Sequence, residues 1–486
     1  MLANWLEDIL KGESLVHLLL NQTPVESPLG GKHGSNASVE LTVVRKRTSK
    51  SRQSEKEQLI MENRDKFNLI LAESQDSVDE CNKKFYGRFT YPWPPMSFPS
   101  IADPHCGSTF LNQELGDWTH SRIPSRSKIW VAGCGTNQAV FTALRFPEAE
   151  VLGTDLSTES LAISQESAVQ LGLKNLRLEQ QSLNAVSFKD EFDYIICTGV
   201  IHHNADPGIS LAKLSEALKP DGILELMVYN YYHRIFTTAY QKFIRLLFKN
   251  EAGMNLDSQL SLTKELIDKF PLQNRMRDFL HKMKNQPEAM VADLLLQPVE
   301  YSYTIESMEY LLKNAGLEFW LPCINQFDRA AEILTWNIEF DNGQVSSYYD
   351  ALSDLERWQI GNLLMSENSP MLWFYVQRND SSFKRISEKE ICDDFLNTKF
   401  EKYSTVYNNY MNVEGTYRFI DQTIAYPNPP VPKDDLSRNI FKAIDPETTV
   451  KDAFQNLAIE PTFYLVNRVR IQLTTPLFPY LKAVAL

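Results

Sequence analysis

The 486-residue chain is 43% hydrophobic and 11% aromatic, enough apolar material to bury a large core and to divide into two or more units. A formal net charge of -13 argues against a general nucleic-acid surface, because phosphate binding draws its affinity from clustered Lys and Arg. The six cysteines form no C-x-x-C pair and no metal-ligand spacing, which reads as reduced, buried residues and no bound metal.

Taken in chain order, the first predicted element is a helix over residues 3–20, with Leu6, Ile9, Leu10, Val16 and Leu20 near one face. Glu7, Asp8, Lys11 and Glu13 interrupt its apolar positions, so it reads neither as a signal peptide nor as a membrane span, and a cytoplasmic protein is expected. Residues 21–57 are rich in Ser, Gly, Pro and charge and read as a mobile linker; the basic run Arg45, Lys46, Arg47, Lys50 and Arg52 is read as its solvated part. A second helix is predicted over 55–77, completing an N-terminal region 1–78. Residues 85–95 follow, aromatic and held extended by three prolines. They form either a lid over what comes next or a plain packing strap.

Ile129 to Ala132 is a short apolar run suited to a buried parallel strand, and Gly133 and Gly135 let the backbone turn sharply and approach a ligand. A second apolar run, 151–153, ends in Asp155, about 20 residues beyond the glycines, where an acid is placed to accept from the hydroxyls of a ribose. Further strands are predicted at 176–180, leading to Ser182 and Leu183, and at 192–198, leading to Gly199, His202 and His203. Leu218 to Gly222 reads as a turn, and a fifth strand, 223–228, runs into Tyr229, Asn230, Tyr231, Tyr232 and His233. In an open α/β sheet these strand ends are where ligands bind.

The series Val131 to Gln138 (Val-Ala-Gly-Cys-Gly-Thr-Asn-Gln), Gly153 to Ser157 (Gly-Thr-Asp-Leu-Ser), Phe192 to His203 and Leu218 to Leu224 resembles, in order and spacing, the class I S-adenosylmethionine-dependent methyltransferases. The resemblance covers residues 125–230 closely and extends more loosely to 378. It implies S-adenosylmethionine as cofactor, with Ala132, Gly133 and Gly135 at its methionine end and Cys134, Asn137, Gln138, Thr198 and Gly199 also among the residues that bind it. Asp155 would take the ribose, and Leu156, Ser182 and Leu183 the adenine. His202, His203 and Tyr229 are the expected catalytic residues; either histidine could take a proton from a nucleophile or simply pack, and neighbouring side chains in an extended loop point opposite ways, so at most one faces the acceptor. Tyr231, Tyr232 and His233 are expected to bind the acceptor or else to anchor the next helix. Three positions depart from the family: Val131 and Ser182 replace acids, and Asn137 replaces a third glycine, with the turn expected to survive because Asn enters left-handed backbone readily.

Residues 235–300 carry a helical pattern, which the resemblance assigns to the acceptor pocket. Runs at 316–319 and 371–377 are expected to close a seven-stranded Rossmann-like α/β core spanning 79–380. A polar break then leads into a small α+β unit, 383–486, with short helices expected at 417–420, 439–445 and 448–454. This unit weakly resembles a winged-helix domain and is expected to be separable. The sequence reads as a methyltransferase acting on an O, N or C nucleophile of a small metabolite or peptide, with no nucleic-acid or membrane partner. Its rivals are a scaffold that keeps the fold without catalysis and an NAD-dependent dehydrogenase, which lacks its pyrophosphate loop here.

Overall fold

The computed structural model describes residues 75–248, 255–323, 333–425, 431–475 and 479–484. The expected helix at 3–20, the linker at 21–57, nearly all of the expected helix at 55–77 and most of the proline-rich 426–432 lie outside the described residues.

A helix α1 (Gln75–Arg88), strand β1 (Ser97–Ile101) and helix α2 (Cys106–Glu114) precede the central sheet. The sheet begins with β2 (Lys128–Ala132), α3 (Gln138–Arg145), β3 (Glu150–Asp155), α4 (Thr158–Gln170), β4 (Leu176–Gln180), β5 (Phe192–Thr198), α5 (Pro207–Ala217) and β6 (Leu218–Val228). An all-helical insertion follows: α6 (Ile235–Leu247), α7 (Leu256–Asp268), α8 (Arg275–His281) and α9 (Glu288–Leu295). Then come α10 (Ile305–Asn314), β7 (Leu317–Pro322), α11 (Gly343–Asp350), α12 (Asp354–Met365) and β8 (Leu372–Arg378).

These strands form one seven-stranded sheet in the order β4-β3-β2-β5-β6-β8-β7. Pairing is parallel except for β8, which runs antiparallel to both β6 and β7. The near-continuous burial of β2, β5 and β6 is what helices on both faces of a parallel sheet require. On β6, Leu224, Leu226 and Val228 pack into one apolar core with Leu211, Met308 and Trp358, while Ile223 joins the opposite core with Leu111, Ala139 and Leu161. Residues 218–222, expected as a turn, lie within β6, but of them only Leu218 pairs, with Phe192; the register then shifts so that Ile223 faces Tyr194, and Lys219 to Gly222 bulge out of the ladder. Among the described residues no helix is long and apolar enough to cross a membrane.

The C-terminal stretch comprises α13 (Glu388–Asn397), β9 (Phe400–Lys402), β10 (Thr405–Val413), β11 (Thr416–Ala425), α14 (Asp435–Ala443), α15 (Val450–Asn456), α16 (Phe463–Thr474) and β12 (Leu481–Ala483). Two expectations are corrected here. Residues 417–420 are strand, because Glu414 and Gly415, both at positive φ, make a two-residue hairpin turn between Val413 and Thr416. The expected polar break also does not divide the core: β10 pairs with β1, and Ile391, Phe395 and Phe400 share one apolar core with Leu111, Leu115 and Trp118. The polar stretch after Arg378 is a surface crossing, with Ser381 and Ser382 both hydrogen-bonded to Asp221.

Candidate functional site

Strand β2 ends in a turn made by Gly133 at φ +68° and Gly135 at φ +55°. A Cβ at Gly133 would collide with Val200, and one at Gly135 would sit 2.7 Å from the Tyr91 carbonyl, so only glycine serves at either position. Asn137 does not take the left-handed conformation expected of it; its φ is -152°, and the two glycines make the whole turn. The Gly135 N–H donates to Asp155 Oδ2 at 2.8 Å and the Ser157 N–H to Oδ1 at 2.9 Å. This ties the ends of the adjacent strands β2 and β3 into one loop. Burial raises the Asp155 carboxyl above its ordinary range, with those backbone donors acting the other way.

The loop opens into a cleft of about 1620 Å³, its solvent-open mouth included. Of the expected cofactor residues, Gly133, Cys134, Gly135, Asn137, Gln138, Asp155, Leu156, Ser182, Leu183, Thr198 and Gly199 line it. Ala132 does not: it is fully buried in the core on the far face of the sheet. Gln138 Nε2 donates to Thr198 Oγ1 at 2.7 Å, joining the glycine loop to the end of β5. Deeper in, Trp373 Nε1 donates to Glu225 Oε1 at 2.9 Å and the Tyr194 hydroxyl donates to Glu225 Oε2, so the one acid in the middle of β6 is held from two sides.

Helix α1 runs along the rim and contributes residues that sequence reasoning missed. Gln75, Asp79, Asn82 and Tyr86 follow one another at four-, three- and four-residue steps, one stripe of the helix. Gln75 bonds Asn204 and the Ala205 N–H, Asp79 accepts from Ser182 Oγ at 2.5 Å, Asn82 Nδ2 donates to the His203 carbonyl at 2.8 Å, and the Tyr86 hydroxyl donates to Asp293 Oδ1 at 3.1 Å. A carboxylate, Asp79, is thus held against Ser182 by another element. Phe85 on the same helix and Phe89 just beyond its end pack with Tyr240, Leu260, Leu280, Val291 and Leu295, so α1 and the helical insertion share a core and together roof this end of the cleft. Tyr91 and Pro92 lie across the glycine loop, where the Thr136 hydroxyl donates to the Pro92 carbonyl.

The expected catalytic trio divides. His203 and Tyr229 line the cleft, whereas His202 is fully buried behind them with its ring stacked on Tyr229, centroids 3.8 Å apart. Burial, with His203 and Arg234 nearby, pushes the His202 imidazole well below its ordinary range, so it is a neutral packing group. Tyr231, Tyr232 and His233 do not line the cleft either. Asn230 turns the chain aside: its amide donates to the Pro370 carbonyl at 2.7 Å and its side-chain oxygen accepts from the Tyr232 N–H, and His233 Nδ1 donates to the Ser369 carbonyl at 2.9 Å. The other face of the Tyr229 ring carries Arg234, whose guanidinium carbon lies 3.9 Å from the centroid. Arg234 in turn forms a bidentate ion pair with Glu300 at 2.8 and 2.6 Å, the two side chains 3% and 0% exposed.

Residues 128–288 match a family model described as a methyltransferase domain. An uncharacterized protein of Synechococcus sp. is 29% identical over 304 residues, covering 61% of this chain and 70% of that one. The ubiquinone biosynthesis O-methyltransferase of Haemophilus ducreyi is 31% identical over 112 residues, 21% of this chain and 45% of that protein, so the chain spans under half that relative's length. The solved structure of PKMT2 from Rickettsia typhi superposes with a TM-score of 0.50 at 15% identity, over 80% of this chain and 76% of that one, a likeness of fold. With the sheet order, the glycine turn and Asp155 in place, residues 128–288 are identified as a methyltransferase domain on a Rossmann-like α/β sheet.

Proposed function

We propose that the chain transfers the methyl group of S-adenosylmethionine to a nucleophile of a small metabolite or peptide, with the cofactor lying along the cleft from Ser182 and Leu183 to Thr198. The observation that carries this reading is the clasp between the Gly135 N–H and Asp155 Oδ2 at the ends of β2 and β3. A carboxylate offers about four acceptor positions, and the backbone donors take only part of them, leaving Asp155 able to receive both ribose hydroxyls. Leu156 and Leu183 give apolar surface for the adenine, with Ser182 and Asp79 as polar partners at its edge. The bare glycines leave room for the methionine end. When bound, S-adenosylmethionine supplies a methyl group already activated for attack. The chain's own residues then act by holding the acceptor in line with it and by excluding water, which is where the effect of proximity is largest.

Calorimetry should find S-adenosylmethionine and S-adenosylhomocysteine bound and NAD not bound. Asp155→Ala should weaken both by ~1.5–3 kcal/mol for each of the two charge-assisted ribose bonds lost. Affinity equal to the parent's would remove Asp155 from the ribose site, and binding of NAD alone would replace the reading with the dehydrogenase one.

A further inference from the structure

The end of the cleft between α1, the His202–His203 turn and α9 is lined by Asn82, Tyr86, Tyr91, His203, Tyr229 and Asp293. Its hydrogen-bonding groups are out of balance. Asn82 is 5% exposed and its orientation is fixed, because its Nδ2 must donate to the His203 carbonyl; Oδ1 is left buried without a partner among the described residues. His203, 3% exposed, sets its Nδ1 against the Val299 carbonyl at 2.7 Å. A carbonyl only accepts, so Nδ1 carries the ring proton and the buried, unpartnered Nε2 presents a lone pair. Burial lowers the His203 pKa, which keeps the ring neutral. On Asp293, Oδ1 accepts from Tyr86, whose own hydroxyl oxygen accepts from Gln297 Nε2 at 2.8 Å, so the Tyr86 proton is committed.

Three acceptors therefore face this end: Asn82 Oδ1, His203 Nε2 and the Asp293 carboxylate. The nearby cations are spent elsewhere. Arg234 is paired with Glu300 and seated on Tyr229, and Arg245 donates to the Gln297 carbonyl at 2.7 Å; neither lines the cleft. Buried acceptors left without donors are costly and rare, so a native ligand that completes this end must bring several N–H groups and positive charge. A carboxylate or phosphate would set its charge against these acceptors, with only the Tyr91 and Tyr229 hydroxyls able to donate to it.

We infer that this end holds the methyl acceptor as a protonated amine, its N–H groups directed to Asp293, His203 Nε2 and the Asn82 carbonyl. The inference rests on the methyltransferase reading above and names the substrate class of that same site. For the nitrogen to react, one ammonium N–H bond must break: the proton passes to the Asp293 carboxylate, and the electron pair stays on nitrogen as the nucleophile. Asp293 suits this because burial, only partly offset by Arg234, makes its carboxylate a stronger base than an exposed one.

The test is calorimetry of the full chain, with and without saturating S-adenosylhomocysteine, against n-hexylamine, hexan-1-ol and hexanoate. The amine should bind about tenfold or more tighter than the alcohol, with hexanoate weakest. Asp293→Asn, which keeps the shape and the Tyr86 contact, should erase the preference for the amine while leaving S-adenosylhomocysteine affinity within about twofold. His203→Asn, which keeps a donor for Val299 and deletes the Nε2 lone pair, should weaken the amine alone and serves equally if the first variant does not fold. Alcohol binding as well as amine would overturn the inference. So would Asp293→Asn weakening S-adenosylhomocysteine as much as hexylamine, because Asp293 would then hold the cofactor's own amino group. If S-adenosylhomocysteine fails to bind while the amine preference persists, the cofactor reading falls and the amine site stands.

Discussion

Deletion of residues 383–486 is expected to yield a fragment that neither unfolds cooperatively nor binds S-adenosylhomocysteine. The deletion strips the core of Ile391, Phe395 and Phe400, against which Trp118 packs at 5.7 and 5.4 Å from the two phenylalanine rings. Truncating one buried Phe costs about 3–5 kcal/mol. The total stability of a domain is about 5–15 kcal/mol, so losing two such rings with their neighbours exceeds what the remainder can absorb. Polar ties go as well: Gln113 bonds the Leu481 carbonyl and the Ala483 N–H, and Glu388 holds Asn337 and Trp358. Near-ultraviolet dichroism and a denaturant melt of the fragment read the outcome. A sharp transition with cofactor binding retained would mean that the cofactor-binding half folds on its own.

Glu300→Ala should lower the unfolding free energy by about 3–5 kcal/mol, because it leaves the Arg234 guanidinium buried without its counter-charge. Gln241 loses a partner in the same step, since its Nε2 donates to Glu300 Oε2 at 2.8 Å. The damage reaches the cleft because Arg234 is the surface on which Tyr229 lies. Replacing both partners, Arg234→Met with Glu300→Leu, should recover most of the stability, since no uncompensated charge remains. Recovery no greater than that of the single variant would show that the cost lies in packing shape and not in the orphaned charge. Urea unfolding of the two variants makes the comparison.

What the sequence made legible follows from how local each signal is. Strands β2, β3 and β5 are short apolar runs, and their residues and the strand-end position of Asp155 lie within a few residues of one another. The β1-β10-β11 sheet is invisible at that range: Ser97 pairs with Met411, and nothing near either residue announces the other. The stripe Gln75, Asp79, Asn82 and Tyr86 has the spacing of a solvated helix face, and only the tertiary fold turns it toward the cleft. Asp293 sits on an insertion helix with no motif around it. The one readable hint was the aromatic and proline-rich run that brings Tyr91 and Pro92 over the glycine loop. The opposite error arose at Tyr231, Tyr232 and His233, where proximity to a strand end said nothing of direction, and the Asn230 side chain bends the segment away. At Asn137 the residue's tolerance of left-handed backbone was real but unused, since Gly133 and Gly135 already complete the turn.

S-adenosylmethionine is expected to bind across the ends of β2 and β3. A crystal structure of the full chain with S-adenosylhomocysteine tests it most directly. The expected result places both ribose hydroxyls on the Asp155 carboxylate, the adenine between Leu156 and Leu183, and the sulfur toward the end lined by His203, Tyr229 and Asp293. A ligand bound elsewhere, or one whose ribose does not touch Asp155, would contradict this expectation.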